Sequence, residues 1–573
     1  MPKSKFELKV LNPRGEAQSS VKIPASPRLK DLNGKKIGII GLRMPVGETF
    51  FPRLESALKN KVPGADWHVW DVPFSGGPET RIAKLKEIAD NSDGVVISLA
   101  ISGGSTTRIT PDAIQIEKFG KPCVLVLAKA FQPTARFIAS GQGLEDLALA
   151  PLDFDYVPPA EEIIKFNVAE KVADRVVLGL TKWRPQPPII QEIADNKLAF
   201  IGNDYQEAYE KMERFFLQHG WSDGIPLVPP TEEAVNRILE GCELPRKQLI
   251  AIFPPGQGKA TLEKIAINAV IAGCLPQYIP IILAAVETII DPAFDLVGVQ
   301  NTSGQLAPLF ILSGQKLAEE LNINGSFCAL GPGWKANTTI GRALKLIMMN
   351  IGHTWPGVND MKAFGNPFRY VTLIAENEPA YSGVWEPFRV AEGFAEDQPT
   401  ISVMPAMSWQ PDLVLPTPPT LERIIYHISL QAKVKYDRYA NSVAHDGLVL
   451  ISPTAFEAIR REGISRKDLQ KALFESIKLP GNLVFDGRER GGGLFPDWVK
   501  EKHKNDPAAP VPLFFKQDDL KICVTGGPGP DMIAYVGTWG YGPSHFITKP
   551  IKLPANWSNL LKKYSGWTSP TIK

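Results

Sequence analysis

Residues 93–126 read DGVVISLAISGGSTTRITPDAIQIEKFGKPCVLV, and this stretch decides the fold. Gly94 to Ala100 (GVVISLA) is a short apolar run with no alternation, the pattern of a strand buried on both faces. Pro122 to Ala128 repeats it. Between them, Pro111 to Phe119 has helical spacing, with Thr110 as its expected N-cap and Asp112 in its first turn. Upstream, Ile37 to Leu42 (IGIIGL) and Trp67 to Val72 read as strands. Glu48 to Asn60 and Glu79 to Asp90 read as amphipathic helices. This β-α-β-α-β order predicts an α/β fold with a parallel, doubly wound sheet. Ligands of such sheets sit outside the carboxyl ends of the strands.

Ser102-Gly103-Gly104-Ser105-Thr106-Thr107-Arg108 follows the second buried strand. Two glycines permit close backbone approach, and the hydroxyls and Arg108 suit a carboxylate or phosphate at a helix start. A capped β–α turn is the plainer reading of the same residues. The stretch 93–126 resembles the UGSC family of selenol and thiol proteins, related to the substrate-reducing subunits of glycine and betaine reductases. Members carry a strand, then selenocysteine or Cys, Gly, Ser, Cys and Thr, and then a helix. Counted back from Asp112, Ser102 falls on the selenocysteine position and Ser105 on the Cys position. Gly103, Gly104 and Thr106 fill the others. The resemblance implies a flavodoxin- or Rossmann-type domain over residues 34–185. A serine hydroxyl supplies no thiolate or disulfide, so the implied redox mechanism does not carry over.

The chain has 573 residues, which at roughly 100–200 per domain suggests about three domains. An extended arm (1–33) precedes the 34–185 domain. A Pro-rich linker at Trp183 leads to a central α/β region (195–410), and a second Pro-rich stretch, Trp409 to Pro419, leads to a C-terminal α/β region (420–573). Helices are expected over Asp204–His219, Glu232–Glu240, Thr261–Ala272 and Ile279–Thr288, and later near Leu421–Leu430, Ala455–Arg461 and Arg466–Glu475. A net charge of +2 gives no reason to expect nucleic acid or a membrane as partner. The five cysteines are scattered without metal-type spacing, as free thiols of a reducing compartment would be. Met1-Pro-Lys-Ser-Lys begins no apolar leader, so the expected location is cytoplasmic. The expected assembly is a homodimer.

The central region carries four further candidates. In the helix Thr261–Ala272, Thr261, Lys264 and Asn268 form one narrow polar stripe, lining a cavity or facing solvent. Gly331 to Arg342 runs from a Gly-rich loop into a helix expected to be capped by Asn337 or Thr338. There Trp334, Lys335, Asn337, Thr339 and Arg342 make an anion-site pattern. Glu376 and Glu378 follow an expected strand, Tyr370 to Ala375, and suit acid–base work. Asp223 lies in an acidic turn beside Trp221. Residues 254–259 (PPGQGK) do not match a phosphate loop, because Phe253 stands where its first glycine belongs. Near the C-terminus, Thr525-Gly-Gly-Pro-Gly-Pro530, Trp539, Tyr541 and His545 outline a possible anion nest. His353, His427 and His445 are candidate acid–base groups with no sequence partner.

The expected function is therefore an enzyme acting on a small anionic organic substrate at a site between the first two domains, by non-redox polar chemistry of lyase, hydratase or transfer type. Ser102, Ser105, Lys264, Glu376 and Glu378 are its catalytic candidates. Gly103, Gly104, Thr106, Arg108, Asn268, Trp334, Asn337, Thr339, Arg342 and Asp223 are its ligand-binding candidates. A non-catalytic ligand-binding or partner subunit of a reductase-like complex, and a carboxylate-ligated metal enzyme, are the alternatives. No cofactor is indicated.

Overall fold

The computed structural model describes residues 5–16, 23–41, 45–72, 78–156, 159–186, 195–331, 333–370, 373–437, 446–484, 497–538 and 544–566. His445, Trp539 and Tyr541 lie outside them. Strand β1 (Phe6–Leu11) precedes β2 (Lys36–Gly41), β3 (Asp66–Trp70), β4 (Gly94–Ala100), β5 (Cys123–Leu127) and β6 (Ala148–Pro151). The last five form one all-parallel sheet in the order β3-β2-β4-β5-β6. Every residue of β4 and β5 is buried, as their unbroken apolar runs require when helices cover both sheet faces. The order is that of flavodoxin-like folds, and its switch point falls between β2 and β4. Ser102 stands just beyond the carboxyl end of β4 at that point.

The helix after β4 starts earlier than the sequence suggests. It runs Gly103–Lys118 with Ser102 as N-cap, and Pro111 lies inside it. Local side-chain bonds outweigh the amide that proline lacks. Ser102 and Ser105 form a reciprocal capping box. The Thr106 hydroxyl donates to the Ser102 carbonyl (2.7 Å), and the Thr110 hydroxyl, expected to be a cap, donates to the Thr106 carbonyl (2.6 Å). The helix expected to begin at Asn337 or Thr338 runs Lys335–Asn350, capped at Trp334 without a side-chain bond. Asn337 is drawn sideways instead. Its amide donates to the carbonyls of Asn324 (3.1 Å) and Leu373 (3.0 Å), and its oxygen accepts from the Asn324 amide (2.8 Å).

The arm does not stay with the domain that follows it. β1 pairs antiparallel with β7 (Lys197–Gly202) at the start of the central region. Beyond it, Asn12–Glu16 lies along the polar stripe of helix Leu262–Ala272. Lys264 Nζ donates to the Asn12 carbonyl (2.8 Å) and Asn196 Oδ1 (3.0 Å). Asn268 donates to the Pro13 carbonyl (3.1 Å) and accepts from the Asn350 amide (2.7 Å). The stripe therefore faces neither solvent nor a cavity, but another stretch of chain. The amide of Lys259 closes the strap on the Glu16 carbonyl (2.7 Å), from the hairpin of β8 (Leu249–Phe253) and β9 (Gly258–Thr261).

The remaining strands interlock the two C-terminal regions. β10 (Ala307–Ser313), β11 (Leu373–Ala375) and β12 (Thr400–Ala406) share a sheet with β19 (Ile547–Pro550), which comes from the far end of the chain. β13 (Ser408–Leu413), placed at the expected second boundary, is the edge of the other sheet. It adjoins β18 (Met532–Gly537), followed by β14 (Gly447–Ile451) and β17 (Leu520–Val524). β15 (Lys478–Pro480) and β16 (Pro510–Pro512) form a separate pair. Among the described residues, no helix is long and apolar enough to cross a membrane.

Replacing Asn268 by Ala strips the buried Pro13 carbonyl and Asn350 amide of a partner. Urea unfolding should show a loss of about 1–3 kcal/mol. A loss below about 0.5 kcal/mol, the scale of an ordinary surface change, would show that the strap is not held this way.

Candidate functional site

Helix Lys335–Asn350 is buried along nearly its whole length, yet it carries Arg342 and Lys345 on one face, with Met349 one turn further on. Lys345 and Met349 line a cleft of about 1110 Å³. Arg14, Trp355, Asn366, Arg369 and Tyr370 also line it. Phe364, on the same loop as Arg369, is 96% exposed.

One carboxylate organises the floor. Asp360 Oδ1 lies 3.1 Å from Lys362 Nζ, and Oδ2 lies 3.7 Å from Lys345 Nζ and bonds Arg369. Lys362 also donates to the Gln300 carbonyl (2.6 Å). Burial works against the Asp360 carboxylate, but the three cations outweigh it and hold its carboxyl well below the usual range. Burial, followed by the Arg369 cation, pushes the Lys345 ammonium down to about 7. Burial pushes Lys362 down to about 8 against the pull of Asp360. A second, small pocket of about 20 Å³ touches Lys345, Lys362 and Arg369, enough for one water-sized guest.

The strap supplies the cleft's other cation. Gly15 lies where a Cβ would come within 2.7 Å of Ile351, so only glycine lets the arm pass this close. Arg14 then reaches over the Trp355 ring (5.4 Å), and Trp355 stacks on His353 (5.6 Å, 5°). His353 Nε2 lies 3.0 Å from the Gly15 carbonyl and 3.3 Å from Arg14 Nε. A single ring nitrogen serves one of these at a time. Burial, and then the Arg14 charge, lower the His353 imidazolium to about 3, so the ring is neutral. Gly256 approaches this ring so closely that a Cβ would lie 2.5 Å from Nδ1, which accounts for a glycine in the 254–259 loop.

The residues singled out from sequence fall in several places. Asp223 and Arg342 meet at the cleft wall as a bidentate pair (2.7 and 2.8 Å), and Arg342 also donates to the Ile225 carbonyl. Lys264 and Asn268 hold the strap, and burial lowers the Lys264 ammonium to about 8. Ser105 Oγ accepts from the amides of Ile101 and Ser102 (both 2.9 Å). A Cβ at Gly103 would lie 1.6 Å from the Asn301 carbonyl, and Gly104 is buried beside it. Arg108 pairs with Asp295 (3.0 Å). The 102–108 turn thus packs on the 296–301 helix, next to Gln300, instead of opening into the cleft. Thr339 donates to the Lys335 carbonyl, and Trp334 stands at the N-cap.

Glu376 and Glu378 lie elsewhere. Glu376 is buried and accepts from Ser313, Tyr381 and the Phe388 amide (2.6–2.9 Å), with burial raising its carboxyl. Glu378 pairs with Arg389 (2.5 Å). The glycine run at 525–530 seats the Phe327 ring, 2.2 Å from where a Cβ on Gly527 would stand. His427 and His545 pair with Asp412 and Asp446. Among the described residues, no group of three His, Cys, Asp or Glu is placed to hold a metal ion.

Sequence reading missed Arg14, Lys345, Asp360, Lys362 and Arg369. One signal was present: a lysine three residues after Arg342, on the same face of an apolar helix. Arg14 comes from the strap, and Asp360, Lys362 and Arg369 from the loop and short 3-10 turn that follow Trp355, with no period to reveal them.

In class, the chain is a flavodoxin-ordered parallel α/β domain joined to a cleft-bearing α/β body. Residues 9–182 match the UGSC family. That match begins within β1 and so includes the strap residue Arg14. No curated protein matches. Five solved chains do, one of them a fungal multi-domain GH3 beta-N-acetylglucosaminidase with a GCN5-related glucosamine N-acetyltransferase region. It is 16% identical with a TM-score of 0.18, and the alignment covers 42% of this chain and 24% of that one, too slight a likeness to carry an argument.

Two substitutions check this geometry. Ser102→Ala removes one cap and should cost about 1 kcal/mol in urea unfolding. Asp360→Ala leaves three cations without their carboxylate and should cost about 3–5 kcal/mol. Equal small losses would contradict the central place given to Asp360.

Proposed function

We propose that the cleft is the active site of an enzyme that handles a small anionic organic molecule by polar, non-redox chemistry of lyase, hydratase or transfer type. The observation that carries this reading is the floor: Lys345, Lys362 and Arg369 share the one carboxylate of Asp360. With all three protonated, the cluster holds surplus positive charge in a half-dry place, and an anionic ligand relieves it. Arg369 offers a planar fork for a carboxylate or phosphate. Trp355, Met349 and Tyr370 give the organic body an apolar wall. Lys345 is the acid–base group, since an amine poised near neutral pH both gives and takes a proton. The serines at 102 and 105 serve a capping box, in keeping with chemistry that needs no chalcogen.

Benzoate, an aromatic monoanion without a reactive carbonyl, tests the reading by isothermal titration. Arg369→Ala should weaken its binding about tenfold or more, the worth of one charged hydrogen bond. An anion stabilises the Lys345 ammonium, so it raises that group's proton affinity. Binding should be level below pH 7 and weaken as pH rises above it. Between pH 7 and 8, binding should take up protons, seen as heats that differ between buffers of different ionisation enthalpy. Binding indifferent to Arg369 and to pH would place the anion elsewhere.

A further inference from the structure

Lys345 is placed for more than charge. Of the three cations on Asp360 it makes the longest contact, 3.7 Å against 3.1 Å for Lys362, while Arg369 is directly bonded. It alone of the three rises from a long, buried α-helix, and it borders both the open cleft and the small second pocket. Met349 lies one turn along the same helix, and Trp355 lines the same cleft. An amine held among other cations, largely out of water, keeps its proton poorly and so presents a lone pair. Arg369 beside it is the natural seat for a carboxylate.

We propose that Lys345 forms an imine with the carbonyl carbon of a small oxo acid whose carboxylate lies on Arg369. The inference rests on the cleft reading above and names the substrate class and the covalent step. The Lys345 lone pair adds to the carbonyl carbon, and the carbonyl π pair moves to oxygen. A proton passes from nitrogen to that oxygen, giving a carbinolamine. Loss of the hydroxyl with a second proton, as water, leaves the C=N bond. Nothing is oxidised or reduced, and no co-reactant is needed. Once protonated, the imine withdraws electrons from the neighbouring bond, which is what a non-redox cleavage or proton abstraction beside a carbonyl requires.

The test uses the full chain with phenylpyruvate as probe and sodium cyanoborohydride as trap, read by intact mass and peptide mapping. The result expected is a single reduced adduct on Lys345, formed faster as pH rises through about 7, suppressed by benzoate and absent from Lys345→Arg. If benzoate binds at the cluster but no adduct forms on Lys345, or if Lys345→Arg is labelled as well as the wild type, the imine is overturned and the anion cleft stands. If benzoate does not bind and no adduct forms, both are overturned.

Discussion

Asp360 is the carboxylate on which the cleft depends. Burying one ion is costly, and burying three cations together is far more so unless a counter-charge stands among them. Asp360 answers Lys345, Lys362 and Arg369 at once, and two of these cations, Lys345 and Arg369, line the open cleft while Lys362 and Asp360 are buried beneath. One negative charge against three positive ones still leaves the floor electropositive. Burial first, and the neighbouring Arg369 cation with it, depresses the two lysines, and the surplus charge prepares the place for an anion.

The cluster is held from behind by the N-terminal domain. Gly103 packs on the Asn301 carbonyl and beside Met361, the neighbours of Gln300 and of Asp360 and Lys362. Thr134 of that domain donates to the Val358 carbonyl (2.5 Å), and Phe137 lies edge-on to His353 and Trp355. From the other side, the strap Asn12–Glu16 carries Arg14 over Trp355. The switch-point turn of the parallel sheet thus supports the cleft from outside. Its polar groups are spent on its own helix and on Asp295.

The sequence was most legible where one local rule governs. β4 and β5 are apolar without alternation because helices cover both faces, so they were readable to within a residue or two. The turn at Ser102 was located, but the helix start was not, because Thr106 and Thr110 bond back to carbonyls and carry the helix through Pro111. The stripe on Leu262–Ala272 was visible, but its partner was not. Lys264 and Asn268 meet carbonyls more than 250 residues earlier in the chain, and no periodicity encodes that pairing. Arg342 and Asp223 were each suspected, though not as a pair. Asp360 and Lys362 sit on a loop, and Arg369 on the short 3-10 turn after it, and their charges gain meaning only when this segment folds against Lys345.

The most direct measurement is the location of a heavy halide by anomalous scattering, in crystals of the full chain soaked in bromide. The account predicts a bromide at the floor of the cleft, within hydrogen-bonding reach of Arg369 and Lys345. Bromides distributed over surface lysines, with the Asp360 cluster empty, would contradict it.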